Sequence, residues 1–151
     1  MSGSKASRDL RDLLAKLKAL KASGMAKVSK ALAVAAKGLI LEGFEGGKDP
    51  YGKPWAPVAR GGIPLNKDGH LRTSWFIAGA TPSGFLISTN ALYAQWHQSG
   101  LNTVYKSGPR KGRPCRIRQR MMIPKGGALP AAWDREFQAV AKAKLASLLK
   151  R

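Results

Sequence analysis

Leu10, Leu13, Leu14, Leu17 and Leu20 recur at three- and four-residue intervals, and beyond Ser23-Gly24 the pattern resumes through Met25, Val28, Leu32, Ala35 and Leu39. That spacing lines one face of an α-helix with apolar side chains, so residues 1–42 are committed to helix: two helices, or one broken at Gly24. Gly43, Gly46 and Gly47 end this part. The apolar stripe reads as core or subunit contact, not as a cofactor-binding motif.

The next stretch, Phe44 to Trp55, sets glycines and prolines between aromatic residues and can be neither helix nor strand. Within it Asp49-Pro50-Tyr51-Gly52 has the preferences of a tight turn, with Pro presetting φ at the second place and Gly at the fourth. Trp55 is expected as a buried plug beneath this loop. Residues 73–79 and 85–89 are rich in aromatic and β-branched types and predict a hairpin with the five-residue connection Ala80 to Gly84. Asn90 is placed to cap a short helix over 91–99, which Gly100 can end in the left-handed conformation. After a basic segment returning as one or two irregular strands to Met121-Met122-Ile123, Pro130 fits the first turn of a last helix. Asp134 and Glu136 lie toward that helix's positive end, and Lys142, Lys144, Lys150 and Arg151 toward its negative end. Phe137, Val140, Ala141, Leu145 and Leu148 form its apolar stripe.

These elements define an α+β fold: N-terminal helices, a small antiparallel sheet with a hairpin, a short middle helix and a C-terminal helix. At 151 residues, with neither an internal repeat nor a long linker, the chain reads as one domain. Its parts are a helical segment (1–42), loop, hairpin and short helix (43–100), a basic arm or loop (101–120) and the C-terminal helix (121–151). No apolar run approaches the ~18 to 20 residues of a membrane span. The N-terminus lacks the apolar centre of a secretory signal and the single Cys115 cannot form an internal disulfide, so a cytosolic compartment is expected.

Charge narrows the function. The chain holds 27 Lys and Arg against 8 Asp and Glu, a formal net charge of +19. Residues 101–120 carry seven of the cations and no acid: Lys106, Arg110, Lys111, Arg113, Arg116, Arg118 and Arg120. Set among Gly108, Pro109, Gly112 and Pro114, they read as an extended arm that meets either nucleic-acid phosphate, without reading sequence, or an acidic neighbouring subunit. The lysines of the N-terminal helices read instead as a solvated face.

Eight acids, two histidines and one cysteine leave little for an active site. No carboxylate pair has the spacing of a two-metal or acid/base site, His70 and His97 have no Cys or carboxylate at ligand spacing, and neither Gly61-Gly62 nor Gly126-Gly127 opens a phosphate cradle. No catalytic residue, metal or cofactor is expected.

Several short blocks occur in a telling order. They are Phe44; Asp49-Pro50-x-Gly52-x-x-Trp55; Leu65-x-x-x-Gly69-x-Leu71-Arg72-x-Ser74; and Asn90-x-x-Tyr93-Ala94-x-x-His97-x-x-Gly100. Arg118-x-Arg120-Met121, Ile123-Pro124 and Leu129-Pro130-x-x-Trp133 follow. In this order the chain resembles the virion morphogenesis, or tail completion, proteins of Mu-like and related tailed phages, over roughly residues 10–148. It departs from them in having Arg118-Gln119-Arg120-Met121 where relatives often carry Pro-Ala-Arg-Pro. The resemblance implies a structural protein of the virion neck, assembled in the host cytoplasm. It would form a ring, most often of six copies, beside other neck, tail terminator or head-closure proteins, with duplex DNA passing through the middle. It makes Phe44, Pro50, Gly52, Trp55, Gly69, Leu71, Tyr93 and Trp133 structural anchors. A stand-alone, sequence-nonspecific nucleic-acid binding protein is the alternative reading.

Overall fold

The computed structural model describes residues 3–150. One helical rod opens the fold: α1 (Gly3–Ala19) runs through a single π-helical turn, Leu20–Gly24, into α2 (Met25–Gly46). The expected break at Gly24 is therefore no break, since Gly24 keeps right-handed helical angles (φ −67°, ψ −44°). Its role is room. A Cβ on Gly24 would lie 2.7 Å from Leu20 Cδ1 and 3.6 Å from Leu148 Cδ1, so the bare backbone admits both leucines. The wider turn is the irregularity a π-bulge introduces without ending a helix. Gly47 does end it, in the left-handed conformation (φ 62°, ψ 33°), with Lys48 N donating to Gly43 O at 3.1 Å.

The remaining elements are α3 (His70–Thr73), β1 (Trp75–Thr81), β2 (Gly84–Thr89), α4 (Ala94–Ser99), β3 (Leu101–Val104), β4 (Pro114–Ile117) and α5 (Ala131–Leu149). The expected α+β layout holds, with two separate two-stranded antiparallel sheets, β1–β2 and β3–β4. The strands of the first reach further into the expected connection, leaving Pro82-Ser83 as the turn, because Ala80 and Thr81 pair with Phe85 and Gly84. A bulge between Ile77 and Gly79 resets the register.

Asn90 does not cap the middle helix. Thr89 Oγ1 accepts from Ala91 N at 3.2 Å, Ala94 N donates to Ala91 O, and α4 begins only after that turn. Gly100 has a positive φ of 76° but an extended ψ of 161°, so it turns the chain into β3 rather than ending the helix in left-handed form. Pro130 precedes the first turn of α5 instead of occupying it.

The core lies where α2 meets α5 on one side and the inner face of β1–β2 on the other. Ile40 and Phe44 from α2, Trp55, Leu71, Trp75, Ala91, Ala94, Met122 and Trp133 are all buried in it. Phe44 is wholly buried, with Trp55 edge-on at 5.5 Å between ring centroids. Trp55 is the plug expected of it. Its indole Nε1 donates to Met121 O at 2.9 Å and its backbone N to Gly47 O at 2.8 Å, fixing both ends of the loop. The tight turn forms as read: Gly52 N donates to Asp49 O, Gly52 has φ 84°, and the buried Asp49 carboxylate accepts from Tyr51 N and Lys53 N at 2.9 Å.

Candidate nucleic-acid or subunit interface

The basic segment, expected as an arm returning as one or two irregular strands, is a hairpin of two regularly paired strands that ends at Ile117, short of Met121–Ile123. β3 and β4 pair in regular antiparallel register, Leu101 opposite Ile117 and Val104 opposite Pro114. Tyr105 N to Arg113 O (3.0 Å) and Gly112 N to Tyr105 O (2.8 Å) continue the pairing past the strands. At the tip, Lys111 N donates to Gly108 O and Arg113 N to Arg110 O, both at 3.0 Å, making two overlapping turns. Gly112 supplies the positive φ (81°) at the third place of the second turn, and Gly108 (φ 75°) redirects the chain into the first. The Arg110 guanidinium lies 5.9 Å over the Tyr105 ring, a cation–π contact that ties one tip cation to the ladder.

Strand alternation sorts the side chains. Arg116, opposite Asn102, points to one face, and Arg118 just past the strand continues that side. Leu101, Cys115 and Ile117 are half-buried on the other. Lys106, Arg110, Lys111, Arg113, Arg116 and Arg118 are exposed, and none forms an ion pair with a carboxylate among the described residues. The hairpin stands off the core, with no other helix or strand packed extensively on it. Open grooves of about 570 and 520 Å³ flank its base and share Arg116, Ile117 and Arg118 as walls. Such a ribbon, cationic along one side and at its tip, can contact phosphates in a row, and a two-stranded ribbon has the width that a duplex major groove admits.

Arg120 must be taken out of this set. It is 8% exposed, and its guanidinium turns inward, with Nε donating to Ala56 O at 3.0 Å and Nη2 to Pro57 O at 3.3 Å. Burial, then repulsion from Arg118, lowers its pKa below the usual arginine range. Its backbone N donates to His97 O at 2.7 Å. The chain leaves the ladder after Ile117, so strand alternation no longer governs position 120 and the side chain clamps residues 56–57 instead.

The anchors divide as well. Phe44, Trp55, Leu71 and Trp133 are core residues, whereas Pro50 and Gly52 shape the turn near the surface and Gly69 holds φ 75° ahead of α3. Tyr93 is half-buried, and its hydroxyl lies 2.9 Å from His70 Nδ1 while His97 meets its ring edge-on at 6.1 Å. Burial, then Asp68, raises the Tyr93 pKa. The two histidines thus share one tyrosine, and among the described residues no group of three or more His, Cys, Asp or Glu side chains is placed to hold a metal.

One structural residue went unrecognised in the sequence. Gln98 Oε1 accepts from Met122 N (2.8 Å) and Ile123 N (3.2 Å), and its Nε2 donates to Ile123 O (2.8 Å), so a side chain stands in for a pairing strand. Only its place between His97 and Gly100 pointed to it. No helix among the described residues is long and apolar enough to cross a membrane. The chain matches none of the protein-family models, curated proteins or solved structures with which it was compared.

Proposed function

We propose that this chain is a structural assembly protein of a tailed-phage neck, a tail completion component that joins a ring at the head–tail junction and carries out no catalysis. The observation that carries the reading is the division of labour between core and hairpin. Residues of the resemblance spread from Phe44 to Trp133 converge on one core, while six cations with no ion pair among the described residues are displayed on an ordered ribbon held clear of it. That is the layout of a building block with one polyanion-facing surface. The ribbon's partner is the phosphate backbone of DNA in the channel or an acidic surface of an adjoining neck protein.

The test is complementation of a phage that lacks the protein with Arg113→Ser/Arg116→Ser/Arg118→Ser. Arg120 stays intact so that the fold is spared. Filled heads and complete tails that fail to join are the expected result, together with wild-type protein detected in purified virions by mass spectrometry. Normal titre from the triple variant, or virions without the protein, refutes the reading. The second reading, a stand-alone nucleic-acid binding protein, rests on the same ribbon and is favoured if tight duplex binding persists in a protein that never enters virions.

A further inference from the structure

Two apolar faces are left largely open among the described residues, the first of them only flanked by Leu148 and Leu149 of α5. The first is on α1: Leu10, Leu13, Leu14 and Leu17 are 57%, 53%, 48% and 50% exposed. No element beyond the adjoining π turn packs extensively against this helix. The second is the outer face of β1–β2. Trp75, Ile77 and Ile87 point inward, so their neighbours Phe76 and Leu86 share the opposite face and are 45% and 63% exposed.

Charge says what can approach that second face. From Thr73 to Tyr105 the chain has no Asp, Glu, Lys or Arg, although 23% of all its residues are charged. Leu92 and Trp96 on the same charge-free stretch are also exposed. Depletion of charge with retention of aromatics is the composition of an interface centre. Exposed strand edges are ordinarily guarded by lysines, and this pair has none. A second copy of a +19 chain is repelled almost everywhere else, but here it meets no like charge.

We infer that α1 of one copy lies across the outer face of the β1–β2 hairpin of the next, seating its leucine stripe on Phe76 and Leu86. A two-stranded sheet needs an apolar layer to be stable, and α2 supplies one on the inner face only. An amphipathic helix is the ordinary second layer. Because the two patches differ, the contact is head-to-tail and propagates until it closes as a ring. This names the subunit contact of the ring proposed above and rests on that reading for closure alone. A helix of 17 residues is about 26 Å long and ~10 Å wide, so it covers on the order of 300 Å² of each surface. That is well short of the ~800 Å² per partner of a lone stable pair, so assembly depends on protein concentration and on both contacts of each subunit.

Directed cross-linking tests it. In a Cys115→Ser background, proteins carrying Leu13→Cys or Leu86→Cys are oxidised separately and as a mixture at high concentration. A covalent dimer in the mixture and in neither alone is the expected result, with no change in melting temperature because both positions are exposed. A dimer from the Leu13→Cys protein alone means that α1 packs on α1 and overturns the inference, as does a mixture that stays uncross-linked. Sedimentation of the wild-type chain separates the two ideas: rings without the mixed cross-link leave the ring standing and remove this contact.

Discussion

Arg118 and Arg120 are two residues apart and chemically identical, yet one faces solvent and the other is buried on two carbonyls. Replacing Arg120 by Met keeps the stem but strips two charge-assisted hydrogen bonds and leaves Ala56 O and Pro57 O short of donors. Urea denaturation should register a loss of about 2 to 3 kcal/mol, against a change within about 0.5 kcal/mol for Arg118→Met. Equal effects would contradict the clamp. Beside it, His97 has its pKa lowered, first by burial and then by Arg120, and its Nδ1 is buried with no hydrogen-bond partner among the described residues. The folded state therefore favours the neutral imidazole. As pH falls below about 6.5 the unfolded chain takes up the proton first, so the stability held above that pH is lost down to the folded-state pKa. His97→Gln should remove this part of the acid sensitivity, read as a flatter melting temperature between neutral and mildly acidic pH. A slope identical to wild type would show that His97 does not set it.

At the scale of elements, the Gln98 side chain binds α4 to the segment before α5 as a strand would, and its removal isolates that joint. Gln98→Ala leaves two backbone N–H groups and one carbonyl near Met122 and Ile123 without partners. A loss of about 2 to 4 kcal/mol is expected, with amide hydrogen exchange accelerated first at Met122 and Ile123; unchanged exchange there would show that water replaces the amide without cost. Such joints mark the boundary of what the sequence discloses. Helices α2 and α5, the Asp49 turn, the Trp55 plug and the first hairpin follow from periodicity and turn chemistry, which act over a few neighbouring residues. The π turn at Leu20–Gly24 has Leu148, over a hundred residues away, beside it, and the local pattern offers only a break at Gly24. The second hairpin was legible only as one or two irregular strands, since its tip is dense in Gly, Pro and Arg and its strands are four residues each. Six of the seven arm cations were legible as a group from the missing acids alone. Arg120 was not, because its partners are carbonyls of a loop more than sixty residues earlier.

For the whole molecule, ionic strength distinguishes the two partners proposed for the cationic ribbon. If six exposed cations each neutralise one phosphate, the logarithm of the duplex binding constant should fall against the logarithm of salt concentration with a slope of about −5. Substituting Arg113, Arg116 and Arg118 by Ser should reduce that slope to about −3 for every DNA sequence alike, since phosphate contacts carry no base information. The lysines of α1 and α2 supply a built-in comparison. Substituting Lys16, Lys27 and Lys30 removes the same charge from the same +19 chain and should leave the slope near its original value if binding is confined to the ribbon. Equal reductions from both triples would mean that the protein attracts DNA through its overall field and that the ordered tip has no special part. An unaltered slope in the arginine triple, combined with failed head–tail joining, would instead assign the ribbon to a carboxylate-rich protein surface. On the proposed reading the ribbon meets its partner with a preformed tip, because Gly108, Gly112 and the Tyr105–Arg110 contact fix its backbone geometry.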